Sequence, residues 1–209
     1  MSTLVIQLPT RERQGVGASA AREGVEFDYV LTPDGINITR EGRAAPALMP
    51  KADSAVAVLA DTDIGWQRVA IPRAPGARMR SALAGALEEQ LLADTDSLHF
   101  ALAPDALAGQ TGWVAVVDKA WLKAELSALD KAGLAIERVV PGAWPEDTPL
   151  GHFGLPAHDD AAAPMQLTWS DANGVVCLGL HGALARQMLP RWTSQPARWT
   201  AHPGVAAAA

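Results

Sequence analysis

The stretch WVAVVDKAWLKAELSALDKAGLAIERVVP, residues 113–141, decides the fold class. Trp113 to Val117 are all apolar and read as a strand. Asp118 then stands where a helix N-cap belongs, because its carboxylate can accept the unpaired N–H groups of a first turn. Trp121, Leu122, Leu126 and Leu129 line one face of the helix that follows, and Gly133 supplies its stop. Leu134 to Val140 is the next strand, ended by Pro141. Strand, helix, strand is the crossover that parallel neighbours require. An α/β fold with an at least partly parallel sheet is therefore expected.

Upstream, IGWQRVAI alternates apolar and polar residues over a strand length, and Leu98 to Leu102 is a second short strand. Between them, Met79, Leu83, Leu87 and Leu91 recur at four-residue spacing within a helix expected over 75–92. Arg78, Arg80, Glu88 and Glu89 fall on its other face. Further upstream, Leu4 to Leu8 carries four apolar residues in five and reads as the first strand, Phe27 to Leu31 as the second. A turn at TPDG follows, then a half-buried strand in which Ile36 and Ile38 alternate with Asn37 and Thr39. SAVAVLA, from Ser54, is continuously apolar, like the interior of a sheet. Downstream, residues 145–164 hold four prolines and two glycines and read as a linker or long surface loop. Asn173-Gly174 between MQLTW and VVCLGL is a hairpin signal, and 183–203 reads as short helix and coil.

With 209 residues, 49% of them hydrophobic, the chain can build one large core or two small ones. A net charge of -6 makes nucleic acid a poor partner. The single cysteine, Cys177, excludes an internal disulfide and is expected to be a buried thiol. No signal peptide is expected, and no run of 18 apolar residues is present.

Chemistry is sparse. The five histidines, His99, His152, His158, His181 and His202, form no tight ligand cluster, so no metal site is expected. His99 reads as a structural histidine in a strand; His152 and His158 fall in the proline-rich loop. Asp61, Asp63, Asp94 and Asp96 form two DTD pairs that could hold Mg²⁺, but turns and caps use aspartate for backbone hydrogen bonding, and that reading is preferred. Ser54 and Ser81 lack a nucleophile-elbow context. Gly15, Gly17 and Ala20 imitate a dinucleotide fingerprint without its amphipathic helix, and no P-loop is present.

The segment RVAIPRAPGARMRSALAGALEEQLLADTDSLHFAL, 68–102, with Pro72, Leu87-Glu88 and Asp94 to Asp96, resembles the type II secretion system protein L family. So does 113–145, with Gly133-Leu134 and Pro141. The resemblance implies an actin-like ATPase superfamily fold: RNase H-like domains with mixed sheets and a small inserted α/β module. The first RNase H-like domain would comprise 1–60 and 104–143, the insertion 61–103, and the second domain 144–209, with a transmembrane helix following.

Actin-like ATPases carry an aspartate in the first strand and then a glycine-containing turn whose N–H groups cradle phosphate. Here Gln7 has no charge and Pro9 no N–H. At a second phosphate loop, Asp171 and Gly174 are either a remnant or, preferably, a hairpin turn. No cofactor and no catalysis are therefore expected. The resemblance implies a scaffold at the cytoplasmic face of the bacterial inner membrane, recruiting the cytoplasmic secretion ATPase and coupling it to protein M, with homodimerisation left open. Arg78, Arg80, Glu88 and Glu89 are the candidate contact residues, and Trp66, Trp121 and Trp144 candidate anchors, although Trp121 is expected in the core. Trp192 and Trp199 are candidates for exposure. The alternative is an actin-like nucleotide-binding protein, ATPase or small-molecule kinase with a divergent phosphate loop; a dinucleotide binder would rest on Gly15 and Gly17.

Overall fold

The computed structural model describes residues 1–11, 26–155, 165–194, 196–202 and 205. The Gly15, Gly17 and Ala20 motif and His158 lie outside them. The chain divides into two compact units: 1–64, 91–99 and 117–142 in one, and 65–90, 100–116 and 143–209 in the other.

The first unit is built on β1 (Thr3–Gln7), whose Leu4 and Ile6, with the following Leu8, are almost fully buried on one face. The burial alternates along the strand, as a period-two backbone requires. β1 pairs antiparallel with β2 (Phe27–Thr32) and parallel with β4 (Ser54–Leu59). Outside these lie β3 (Arg40–Ala44) and β8 (Arg138–Pro141), giving the order β3-β2-β1-β4-β8. Helix α2 (Lys119–Lys131) lays Leu122 and Leu129 on the core formed by Leu4, Ile6, Leu8, Ala57 and Leu59. Its N-cap is Asp118, whose carboxylate accepts the Trp121 N–H at 2.8 Å. Its end is Gly133 at φ 81°, a left-handed conformation that costs other residues about 1 kcal/mol or more.

Two expectations fail in this unit. Residues 36–39 form no strand; Ile36 and Ile38 are 85% and 57% exposed. The reason is the Asx turn before them. Asp34 accepts the N–H groups of Ile36 and Asn37 at 2.9 and 2.7 Å, so that backbone is committed to the turn rather than to a ladder. The 113–141 segment also does not form one crossover within one sheet. Its first strand, β7 (Thr111–Asp118), belongs to a different sheet from β8, and the parallel pairs are β1 with β4 and β4 with β8.

The second unit contains two sheets. β7 pairs antiparallel with β5 (Gly65–Ala70) and neighbours β6 (Leu98–Leu102), in the order β5-β7-β6. Helix α1 (Gly76–Leu87) buries Leu83 and Leu87 and stops a turn earlier than the sequence period suggests, passing into a 3-10 turn at Glu88–Gln90. The other sheet runs β11-β10-β9-β12, from β9 (Leu150–Gly154), β10 (Gln166–Asp171), β11 (Gly174–Gly179) and β12 (Arg198–Ala201). β10 and β11 form the expected hairpin around Ala172-Asn173. β9 corrects the reading of 145–164 as loop throughout. Its two glycines hide the strand period, and one of them is there for packing: a Cβ on Gly151 would run into the Trp199 ring.

That ring belongs to an aromatic cluster. Trp169 stacks on Trp192 with centroids 5.2 Å apart, and Trp199 stacks on Phe153 at 5.5 Å. Helix α3 (Ala183–Thr193) carries Trp192 into this core, so Trp192 is 5% exposed, against the expectation of an exposed side chain, while Trp199 retains 37%.

Two predictions follow from this packing. Gly151→Ala should lose about 1–3 kcal/mol in urea unfolding by overpacking, and Gly151→Ala with Trp199→Ala should cost less than the sum of the two single changes. The Asp34 pKa is lowered from 3.8 to about 2, first by the Asn37 N–H, then by the Asn37 side-chain amide and the Ile36 N–H. A depressed carboxyl stabilises the fold above its unfolded pKa, and that contribution is lost as pH falls from about 4 towards 2. NMR titration should therefore place the Asp34 midpoint near the lower value.

Candidate functional site

In a sheet with parallel strands, ligands gather where those strands end at their carboxyl edge. Here that edge is the end of β1 and β4. Gln7 is exposed, and its side-chain amide donates to the Leu8 carbonyl at 3.4 Å, folding back on its own backbone. The Leu8 N–H donates to the Val58 carbonyl at 2.9 Å, so the ladder consumes it. Pro9 has no N–H. The Arg11 N–H donates to Asp63 Oδ2 at 2.9 Å, and the Arg11 guanidinium donates to Asp118 Oδ2, also at 2.9 Å. The Leu8 and Arg11 N–H groups are thus occupied and Pro9 has none to offer, and the Asp63 and Asp118 carboxylates stand beside Arg11. A phosphate would meet like charge rather than a cradle.

The remaining candidate residues sort by their contacts. Asp61–Asp63 is a 3-10 turn. Asp94 caps the 3-10 turn Thr95–Ser97 by accepting the Asp96 N–H at 2.9 Å. The 94–96 pair thus follows the capping reading; the 61–63 pair lies in a turn without a side-chain cap, and its Asp63 accepts the chain-distant Arg11 N–H. Among the described residues no group of three His, Cys, Asp or Glu side chains could hold a metal. Asp171 accepts the Asn173 N–H at 2.7 Å and the Trp169 indole N–H at 3.0 Å, which makes it a turn former. The Ser54 hydroxyl pairs with that of Thr3, and the Ser81 hydroxyl donates to the Arg78 carbonyl.

Three readings need correction. His99 is exposed rather than embedded, and it borders a shallow cleft of about 370 Å³ whose walls include Lys119, Leu122, Lys123 and Leu126. Cys177 is only half-buried, because it sits on edge strand β11, with its Sγ 3.7 Å from Thr168 Oγ1. His152 lies in β9, where Nδ1 is 2.9 Å from Thr200 Oγ1.

Arg78, Arg80, Glu88 and Glu89 are all exposed. They do not converge. Ten residues of helix separate Arg78 from Glu88, roughly 15 Å along the axis. The basic pair lies near the N-terminus of α1 and the acidic pair just past its end. This reverses the order that the helix dipole favours, so these charges do not serve helix stability. Trp66 and Trp121 are half-buried, and Trp121 packs on the core as expected. Trp144 is 53% exposed while its carbonyl accepts the Ser170 hydroxyl. Sequence reasoning missed the Arg11 contacts, whose partners are 52 and 107 residues away.

Asp118 both caps α2 and pairs with Arg11. Asp118→Ala should therefore cost about 1–2 kcal/mol, and Arg11→Ala, which removes only an exposed ion pair, no more than about 1 kcal/mol, both read from urea midpoints.

Comparison with known proteins gives this architecture a lineage. A type II secretion system protein L from Dickeya chrysanthemi is 35% identical over 88 residues, covering 42% of this chain and 22% of that protein. One from Pectobacterium carotovorum subsp. carotovorum is 25% identical over 163 residues, covering 78% and 35%. The chain thus matches only about a third or less of the length of these relatives. Among solved structures, the cytoplasmic domain of EpsL, an inner membrane component of the type II secretion system of Vibrio cholerae, aligns with a TM-score of 0.59 and 18% identity. That alignment covers 87% of this chain and 72% of that one. It supports an α/β fold with mixed sheets of the EpsL kind. The family model for type II secretion system protein L matches residues 36–167, well over half of the chain, and the chain belongs to that family.

Proposed function

We propose that this chain is a non-catalytic scaffold domain of the type II secretion inner-membrane platform. It recruits the cytoplasmic secretion ATPase and couples it to protein M and the rest of the membrane complex. The observation that carries this reading is the closed end of β1. Gln7 and Pro9 replace a charge and a donor, and the Leu8 and Arg11 N–H groups already have acceptors. Family membership supplies the context. In this reading ATP chemistry belongs to the partner, and the domain contributes surface.

The same reading sets an actin-like ancestry, with RNase H-like domains at 1–60 with 104–143 and at 144–209, around an inserted module at 61–103. Membrane association runs through a transmembrane helix outside these residues; among the described helices none is long and apolar enough to cross a bilayer. The domain then works at the cytoplasmic face of the inner membrane. The α1 charges are the proposed ATPase contact, because their reversed placement on the helix dipole suits recognition better than stability.

Isothermal titration with the N-terminal region of the secretion ATPase tests this. Saturable binding is expected, with no heat from Mg-ATP. Arg78→Glu with Arg80→Glu should weaken binding about tenfold or more, since rim charges that meet like charge repel. Tight Mg-ATP binding without partner binding would overturn the scaffold reading in favour of a working nucleotide site.

A further inference from the structure

Helix α2 turns one stripe toward the shallow cleft of about 370 Å³. Lys119, Leu122, Lys123, Leu126, Ser127 and Asp130 stand at i, i+3, i+4, i+7, i+8 and i+11, so they share a single helical face. His99 lines the same cleft. A second cleft of about 300 Å³ continues past Lys119 and Lys123 toward Asp96 and Asp118. The two clefts share both lysines and form one groove beside the helix, within the first unit.

Three features say what this groove fits. The first is charge. Lys119 and Lys123 are exposed, and no ion pair or side-chain hydrogen bond joins either of them to a described residue. The acid beside them, Asp118, already accepts the Trp121 N–H and the Arg11 guanidinium. Both lysines stand in the first two turns of α2, where the helix dipole disfavours cations, and no acidic residue lies in the first turn to answer them. The second feature is the floor. Leu122 belongs to the buried core and Leu126 packs against it, so the apolar part of the stripe is held rigidly between the charged ends. The third is depth. At about 370 Å³ the cleft is near the lower limit for ligand pockets, and a shallow one takes side chains from a surface laid over it rather than a chain threaded through it.

A helix laid over the stripe meets all three. Acids at its i and i+4 are separated by about 6 Å along the axis, the same separation as Lys119 and Lys123. Leucines at its i+3 and i+7 then meet Leu122 and Leu126. Asp130 ends the stripe with the opposite sign and matches a basic residue about three turns from the first acid. Acid first and base last is the order that a helix's own dipole favours, so such a partner runs parallel to α2.

We infer that the α2 groove is the docking site for an acidic amphipathic helix of another protein, two of whose carboxylates pair with Lys119 and Lys123. The site uses none of the α1 charges and does not rest on the ATPase reading.

Fluorescence anisotropy with the whole chain and two labelled synthetic helices tests it. One peptide carries Glu at i and i+4, Leu at i+3 and i+7 and Lys at i+11; the other has each charge reversed. The acidic peptide should bind saturably, roughly tenfold or more tighter than the reversed one, and more weakly as salt rises. Replacing its two leucines by serine should weaken it further. Lys119→Glu with Lys123→Glu, checked by circular dichroism, should invert the preference between the peptides. Amide NMR shifts on the wild type should cluster at 96–99 and 119–130, and they carry the test should the double variant fail to fold. No binding of the acidic peptide, equal binding of both peptides, a preference unchanged in the double variant, or shifts centred elsewhere would overturn the proposal. So would a dimer of the wild-type chain that the double variant abolishes, since a second copy would then hold the groove. No ATPase is present in these measurements, so any of these results leaves the scaffold reading as it was.

Discussion

The backbone hydrogen bond from the Leu8 N–H to the Val58 carbonyl, at 2.9 Å, sits where structure and chemistry compete for the same donor. In a nucleotide-binding turn that donor would leave the sheet and point at a phosphate. Here it continues the β1–β4 ladder one residue beyond Gln7, and Leu8 is buried at 1% exposure together with Leu4 and Ile6. Burying a leucine side chain stabilises by about 1.5–3 kcal/mol, and a released backbone donor would need another partner at similar cost. Turning this loop into a phosphate cradle would forfeit both. Pro9 then removes the next donor, and Arg11 spends its own on Asp63. The closure is distributed over several contacts, so no single substitution would reopen it.

The second unit depends on a different constraint. Its four-stranded sheet is thin, and its stability rests on aromatic area: Trp169, Trp192, Trp199 and Phe153 are joined by ring contacts of 5.2–5.5 Å between centroids. Such rings bury large areas and add about 0.5–1.5 kcal/mol per well-oriented pair. The Gly151 position shows what the cluster requires, since the β9 backbone must approach the Trp199 ring more closely than any side chain would allow. In this unit the tryptophans act chiefly as core. Trp144 is more exposed than these, at 53%.

Much of this was legible in the sequence where a single periodicity governed. The apolar content of Leu4 to Leu8, the apolar run from Ser54, the leucine stripe of α2, its Asp118 cap and its Gly133 stop are all local, and each appears as expected. The failures have physical causes. Ile36 and Ile38 alternate like strand residues, but Asp34 captures the backbone before a ladder can form. β9 was hidden by Gly151, whose lack of a side chain is a packing requirement rather than a loop signal. The assignment of β7 and β8 to different sheets could not be read from helix and strand order, because a crossover specifies that strands are near, not that they pair. At the candidate site, Gln7 and Pro9 were readable as losses. The Arg11 contacts with Asp63 and Asp118 were not, because they depend on chain-distant pairing.

A catalytic domain concentrates its unusual chemistry in one enclosed place, where preorganised dipoles act in low dielectric. The unusual features of this chain are distributed and exposed instead. α1 carries its positive charges at the end where the helix dipole favours negative ones, and the reverse at the other end. Among the described residues β3 ends the five-stranded sheet, and Ile36, Ile38 and Leu48 near it are exposed. Each arrangement costs the isolated domain some stability, through an unfavourable dipole interaction in one case and solvated apolar area in the other. Costs of this kind, at exposed places rather than in an enclosed pocket, are ones that contact with another surface would offset.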